Sequence, residues 1–157
     1  MKGDPKVIEL LNAALKEELS AICQYILHSE MQNNWGYTAL GGYIKKQAID
    51  EMKHLDTLVE RILFLDGAPR LDVLPAPKVG ANVKEQLAND LGGELRAVKM
   101  YNEAAAACAA AGDNGTRELF EKLVKDEEQH TDWLEAQLGM IEEMGYENYL
   151  SRQFKAE

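Results

Sequence analysis

Hydrophobic residues recur every three to four positions over most of this chain, which is the period of helices that bury one face. Residues 7–26 follow this period, after Asp4 as a candidate N-cap and Pro5 as a candidate first helical residue. The pattern stops at a glycine, Gly36, which is typical of a helix C-terminus. The first helix is therefore predicted to run from Pro5 to about Asn34.

The rest of the chain repeats this organisation. Asn82 and Glu85 form a capping-box-like pair at the start of one helical segment, and Gly112 ends that segment. The segment 68–80 contains three prolines, so it is excluded from any helix. The remaining predicted elements are three long helices and one short one, over about 40–66, 83–111, 116–144 and 146–154.

The lengths of the connections define how these helices are arranged. Short turns at Gly36 and Gly112 predict two antiparallel hairpins, and the connection of about 13 residues between them can run the length of a bundle. The helices then have an up-down-down-up order. The predicted fold is all-α, a four-helix bundle with one long crossover connection and a short C-terminal fifth helix, formed as a single domain over residues 1–157.

Composition narrows the classes of partner. The formal net charge of −10 makes nucleic acid and anionic membrane surfaces unlikely partners, and no apolar stretch reaches the roughly 20 residues that span a bilayer. The first residues are not followed by a long apolar run, so no signal peptide is expected. Cys23 and Cys108 lie far apart and outside any Cys-x-x-Cys pattern, which favours buried reduced thiols and a cytoplasmic location.

One short motif occurs twice, as Asp-Glu-Met-Lys-His at 50–54 and as Asp-Glu-Glu-Gln-His at 126–130. On a helix, residues three apart share a face, so each Glu-x-x-His directs a carboxylate and an imidazole toward one point. Each motif glutamate also has another glutamate 33 positions upstream, Glu18 and Glu94. A single Glu-x-x-His is common on solvated helices, but here the whole set repeats at an offset of 76.

The positions of the glutamates agree with the predicted hairpins. The midpoint between Glu18 and Glu51 falls beside Gly36, and the midpoint between their counterparts at 94 and 127 falls beside Gly112. At 1.5 Å per residue, all four carboxylates are expected about 25 Å from their turns, near the middle of the bundle.

Four carboxylates and two imidazoles that converge inside a helix bundle describe a carboxylate-bridged site for two metals. Oxygen and imidazole ligands with open coordination positions suit iron or manganese, which can react with oxygen species. The six candidate ligands are Glu51 and Glu127 as bridges, Glu18 with His54 on one metal, and Glu94 with His130 on the other.

The aspartate that opens each motif is a candidate partner for the metal-binding imidazole of the other motif. A metal-bound histidine usually donates its second ring N–H to a carboxylate, which fixes its tautomer and orientation. We therefore expect Asp50 to pair with His130 and Asp126 to pair with His54. The alternative is that both aspartates are solvated surface groups.

Three aromatic residues and one histidine lie near the motifs without a decided role. Tyr25 and Tyr101 each follow a predicted ligand by two helical turns, so each could donate to a ligand carboxylate, supply an electron, or simply fill the core. Trp133, three residues after His130, has the same alternatives. His28 has no partner at ligand spacing and is interpreted as an ordinary histidine near a helix end.

With these motifs identified, the chain resembles bacterioferritins over its whole length. The resemblance implies a ferritin-like fold and a hollow 24-subunit shell that oxidises Fe(II) at intrasubunit di-iron centres and stores Fe(III) as mineral. The residues that carry it are Met1-Lys2-Gly3-Asp4, Val7-Ile8, Asn34-Trp35-Gly36, Asp50-Glu51-Met52-Lys53-His54, Arg61-Ile62-Leu63-Phe64-Leu65, Asp126-Glu127-Glu128, His130, Asp132-Trp133-Leu134-Glu135 and Asn148-Tyr149-Leu150.

The same resemblance implies a second cofactor and a partner. Family members bind haem b between paired subunits, with an axial methionine from each, and the matching residue is Met52. From the residues alone Met52 would be a core or interface methionine. Some members bind a further iron on the inner surface through a histidine four residues before the motif aspartate, but this chain has Lys46 there. A small ferredoxin is the implied partner for iron release.

Two other functions are compatible with the motif. One is a rubrerythrin-like di-iron enzyme that scavenges peroxide, although the chain has no four-cysteine rubredoxin-like module to supply electrons. The other is a haem-carrying scaffold with a degraded metal site, which the presence of all six ligand residues argues against. The favoured function is an iron-storage ferroxidase that uses O2 or H2O2.

Overall fold

The computed structural model describes residues 1–154. Its order of elements is the predicted one, an all-α, ferritin-like four-helix bundle followed by a short fifth helix. The helices are α1 (Pro5–Asn34), α2 (Thr38–Phe64), α3 (Val83–Ala110), α4 (Asn114–Met144) and α5 (Tyr146–Leu150).

The helix ends are formed by local hydrogen bonds. Asp4 caps α1 by accepting from the backbone N–H of Lys6 at 2.7 Å, and the side chain of Asn82 caps α3 in the same way. α4 begins two residues before the predicted start, because Asp113 accepts from the backbone N–H of Thr116 and acts as the N-cap. Gly112 adopts a φ of +74° after α3, a conformation that suits glycine at a helix C-terminus.

Hydrogen bonds between the hairpins show the direction of each helix. Gln32 of α1 bonds to Gln86 of α3, and the earlier α1 residue Gln24 bonds to the later α3 residue Asp90, so α1 and α3 are antiparallel. Since the three-residue turn makes α1 and α2 antiparallel as well, α2 and α3 point the same way. The up-down-down-up order that requires a long crossover is therefore present.

The crossover, residues 65–82, lies along α1. The side chain of Asn12 accepts from the backbone N–H of Arg70, and Ser20 donates to the carbonyl of Pro75. Further along α1, Gln24 accepts from the N–H of Lys78. Backbone polar groups of this proline-rich segment thus find partners on the bundle, as buried backbone groups must.

His28 is completely buried, and it also helps to hold the crossover against the bundle. Its Nδ1 lies 2.9 Å from Asp90 on α3, and its Nε2 accepts from the backbone N–H of Gly80 at 3.1 Å. As interpreted from the sequence, His28 lies near the end of α1 and outside both groups of candidate ligands, but its pairing across 62 positions of sequence was not foreseen.

Two apolar clusters form the core, with a polar layer between them. One cluster includes Leu11 and Leu58 toward one end of the bundle, and the other includes Ile44 and Leu134 toward the other end. In each long helix the apolar stripe that belongs to one cluster is interrupted before the other begins. The predicted ligands lie at these interruptions, so the hydrophobic pattern itself positions the polar layer at mid-bundle.

Candidate metal centre

All six predicted ligand residues come together in this polar layer. Glu51 and Glu127 are each 1% exposed, and the other two glutamates are also buried. Their side-chain atoms form two groups of four in which all ligand atoms lie within 4.8 Å of one another. The two groups share Glu51 and Glu127, and they are Glu18, Glu51, His54 and Glu127, and Glu51, Glu94, Glu127 and His130.

The shared glutamates lie between the two imidazoles. Oε2 of Glu51 is 2.8 Å from Nδ1 of His54, while its Oε1 is 2.9 Å from Nδ1 of His130. Glu127 likewise has one oxygen 3.3 Å from His54 and the other 3.1 Å from His130. Each carboxylate thus presents one oxygen to each half of the centre, which is the arrangement that a bridging ligand needs.

Several of these atoms are close together without bonding to one another. Oε1 of Glu51, Oε2 of Glu127 and Nδ1 of His130 are buried and have no partner with hydrogen-bond geometry. Buried polar atoms are nearly always satisfied, so three such atoms in one place require an explanation. A metal ion that they would coordinate jointly provides one, and the donor set of carboxylates and imidazoles suits iron.

Burial and mutual charge shift the pKa values of the whole cluster. Desolvation, and then the charge of Glu51, raises the pKa of Glu18 well above its ordinary value, and desolvation raises the pKa of Glu94 as well. Burial opposes charge on the bridging Glu51, but the adjacent imidazoles of His130 and His54 outweigh it and lower the pKa of that carboxyl.

The pKa values of the two imidazoles are raised, whereas burial alone lowers the pKa of a histidine. Desolvation lowers the pKa of His130, but the carboxylates of Glu127, Glu51 and Glu94 close to its ring raise it to about 12. The pKa of His54 is raised for the same reason. Without metal, the imidazoles therefore retain protons at neutral pH, and the two terminal carboxyls lose theirs at a higher pH than ordinary glutamates. Metal ions must displace these protons, so affinity rises with pH.

Two buried tyrosines hold the terminal glutamates. The hydroxyl of Tyr25 donates to Glu94, and the hydroxyl of Tyr101 donates to Glu18. Each phenol therefore binds the carboxylate of the other hairpin. Desolvation, and then the adjacent carboxylate, raises the pKa of both phenols. Of the roles left open by the sequence, donation to a ligand carboxylate is the one that the hydrogen bonds show.

The predicted aspartate–histidine pairs differ between the two motifs. Oδ2 of Asp126 lies 3.3 Å from Nε2 of His54, as predicted. Asp50 instead bonds to Nζ of Lys53 at 2.6 Å, and within residues 1–154 no hydrogen bond joins it to His130. Asp50 is partly exposed and has a cation in its own helix, which the prediction did not consider.

The centre is open on two sides. Between α1 and α3, a narrow cavity of about 40 Å³ contacts all four glutamates, and Gly93 at its edge has no side chain to close it. Between α2 and α4, an open cavity of about 350 Å³ is lined by Asp50, Lys53, His54, Thr57, Lys122, Asp126, Gln129 and His130. A cavity therefore borders the centre on each of these two faces.

The other residues considered from the sequence lie around the centre. Trp133 stacks on Tyr43 with ring centroids 3.9 Å apart, which the sequence alone did not indicate. Met52 is 40% exposed on α2, and Lys46 is exposed on the same helix. Sequence reasoning missed the buried Asp90, whose only signal was its spacing of one helical turn before Glu94.

Comparison with known proteins agrees with this geometry. Residues 8–144 match the ferritin-like domain family. Proteins named bacterioferritin from Brucella melitensis and Rhodobacter capsulatus are 46% and 44% identical to the chain, each over 95% of the chain and 92% of the relative. The chain belongs to the bacterioferritin family. A bacterioferritin named BfrA from Mycobacterium tuberculosis is 40% identical, over 95% of this chain and 94% of its own length.

Membership of the bacterioferritin family confirms the resemblance recognised in the motifs. Its ferritin-like fold is the bundle described above. In the part of the chain that the structure describes, no helix combines the length and apolar character needed to cross a bilayer.

Proposed function

We propose that this bacterioferritin is an iron-storage ferroxidase in which the six residues at mid-bundle are the iron ligands. The observation that carries the proposal is the pair of overlapping ligand groups that share Glu51 and Glu127. A site of this kind holds two metals a short distance apart and leaves coordination positions for an oxidant. A closed structural site would use all positions for protein ligands.

The chain's own residues supply negative charge for the oxidation of iron and hold the carboxylates in position. Two Fe2+ ions, as substrate, give up two electrons, which together with two protons from water reduce O2 to H2O2 or H2O2 to two molecules of water. Buried carboxylates stabilise Fe3+ more than Fe2+ because their charge acts at low dielectric, so the ligand set itself favours oxidation. The tyrosine bonds to Glu18 and Glu94 keep these carboxylates in position while the metal charge changes.

The oxidised iron is then deposited as mineral inside a hollow homo-oligomeric shell of 24 subunits in the cytoplasm, with each chain acting as one di-iron domain over residues 1–157. The relatives of 40–46% identity, all named bacterioferritin, support this assembly. The net charge of −10 is compatible with an acidic interior that collects iron. A small ferredoxin is the proposed electron donor for iron release.

Haem b is the second proposed cofactor, bound between two subunits by Met52 from each. The fit is favourable on this chain because Met52 is 40% exposed, whereas its neighbours Glu51 and His54 are buried. Ile49, one turn earlier, is also exposed and extends the apolar surface beside the thioether. A two-fold axis at this surface would bring two such sulfur atoms together, and bound haem would provide redox chemistry there.

An anaerobic Fe(II) titration of metal-free, size-fractionated protein, followed by O2 or H2O2, tests the function. We expect saturation near two iron ions per chain, fast oxidation, and then slower uptake of much more iron by a large particle. Two iron ions per chain without further uptake would favour the rubrerythrin-like peroxide scavenger. The absence of any fast phase would refute the di-iron assignment.

Substitution of Met52 tests the haem proposal separately from the iron site. Protein with Met52→Leu, reconstituted with haem b, should lose the low-spin spectrum of bis-methionine ligation, while the fast phase of Fe(II) oxidation stays within about twofold of wild type. Leucine retains most of the volume and apolar character, so packing changes are small. An unchanged haem spectrum would contradict the assignment of Met52, and Met140→Leu on α4 serves as the matched control.

A further inference from the structure

The repeated motif differs between its two copies at the third position, Met52 and Glu128, and at the fourth position. The fourth position is Lys53 in the first copy and Gln129 in the second. A lysine can form an ion pair with an aspartate three residues earlier on the same helix face, and a glutamine cannot. The difference therefore bears on the aspartate that opens each copy.

The two aspartates are used differently. Nζ of Lys53 lies 2.6 Å from Asp50, which is thereby held in its own helix. Asp126 has only Gln129 at the corresponding position, and its Oδ2 lies 3.3 Å from Nε2 of His54 across the bundle. Among residues 1–154, no side chain forms a hydrogen bond to Nε2 of His130.

Other features of the two halves are matched. Each terminal glutamate accepts a hydrogen bond from a tyrosine of the other hairpin, and each imidazole Nδ1 faces both bridging glutamates. The 76-residue repeat makes the pair of Asp50 and His130 equivalent in position to the pair of Asp126 and His54. All four residues line the same cavity. The partner of the second ring nitrogen, Nε2, is thus the main difference between the halves.

We propose that Lys53 makes the two metal positions unequal, so that the position of Glu18 and His54 fills before the position of Glu94 and His130. This inference rests on the proposed di-iron function of the centre. An imidazole that donates its second N–H to a carboxylate is fixed in orientation and is a more basic ligand. Lys53 is a positioning residue, since it acts on His130 by withholding Asp50.

The expected size of the effect follows from outer partners of metal ligands. Losing such a partner typically lowers metal affinity by about 10–100-fold. Repulsion between two neighbouring cations would by itself produce two unequal binding steps, even in a symmetric centre. The test must therefore show which position fills first, and how exchanging the lysine and the glutamine changes each step.

Co(II) is a suitable probe because it takes the same ligands without being oxidised by the protein. Titration calorimetry on the assembled, metal-free protein gives the two affinities, and anomalous scattering from crystals at one Co(II) per chain shows which position is filled. In wild type, we expect Co(II) at Glu18 and His54. Lys53→Gln should strengthen the second step about tenfold and leave the first unchanged.

The reciprocal variants make the test independent of net charge. In Gln129→Lys, the introduced lysine should form an ion pair with Asp126 and weaken the first binding step about tenfold. Exchanging both positions in one protein should reverse the order in which the metal positions fill. Lys53→Arg preserves the charge and the ion pair, so it should behave as wild type. A change of charge alone would instead shift both steps together.

Three results would overturn the inference. They are Co(II) at Glu94 and His130 in half-loaded wild-type crystals, equal shifts of both steps in Lys53→Gln, and an unchanged order in the double exchange. A different result would refute the proposed function alone. The protein would then bind two Co(II) in the expected order but show no fast oxidation of Fe(II).

Discussion

Glu51→Gln is expected to abolish the fast phase of Fe(II) oxidation, with an initial rate at least about 100-fold below wild type. Loss of an outer partner already costs about 10–100-fold in metal affinity, and Glu51 belongs to both groups of candidate ligands. Glutamine retains the size of the side chain but removes the charge and one coordinating oxygen. Both positions should therefore weaken together.

Stopped-flow absorbance after anaerobic loading with two Fe(II) per chain measures this effect. Glu60→Gln, the same change at an exposed position on the same helix, is the matched control and should oxidise iron at the wild-type rate. The substitution leaves His54 and His130 with one balancing carboxylate fewer, so circular dichroism must first show that the variant is folded. Glu127→Gln should reproduce the loss, since Glu127 occupies the equivalent bridging position. Fast oxidation in either bridging variant would contradict the shared-ligand arrangement.

Leu87→Ala is expected to lower the free energy of unfolding by about 2–5 kcal/mol, the usual range for a leucine removed from a packed core. Leu87 is 0% exposed on α3 and belongs to the apolar cluster that includes Ile44 and Leu134. Truncation leaves a cavity that helices constrained by the crossover can close only in part.

Guanidinium unfolding followed by far-ultraviolet circular dichroism, at fixed protein concentration and without metal, measures this change. Leu95→Ala supplies the comparison on the same helix, because Leu95 is 50% exposed and its loss should cost no more than about 0.5 kcal/mol. Similar losses in the two variants would mean that Leu95 is buried in the assembled shell or that Leu87 is not in a packed core. Dissociation into subunits before unfolding distinguishes these explanations.

The four buried carboxylates of the centre are electrostatically unfavourable for the folded bundle. Burial is the main reason that the pKa values of Glu18 and Glu94 are raised. Repulsion from the other buried carboxylates adds to this shift. The histidines, whose pKa values are raised, balance the bridging glutamates in the absence of metal. A metal bound at the proposed centre would take over this balance, and because it would bind only the folded chain, it should also raise stability.

The sequence by itself determined the elements and predicted the candidate ligand set. Helical periodicity, two glycine turns and a proline-rich connection predicted the bundle, since each is a local property of the chain. The spacing of Glu51 and His54 within one helix turn, and its repetition 76 residues later, brought the six candidate ligands to mid-bundle before any distance was known. These inferences required only the geometry of a helix and the length of a hairpin.

Only the tertiary structure decided which groups meet across helices. The attachment of His28 to Asp90 and Gly80, the crossed bonds of the two tyrosines, and the pairing of Asp126 with His54 all join residues more than 50 positions apart. Helical spacing fixes the face on which a side chain lies, but the partner it meets depends on helix packing. Competition from a nearby cation, as between Lys53 and His130 for Asp50, is likewise settled by distances in the folded chain.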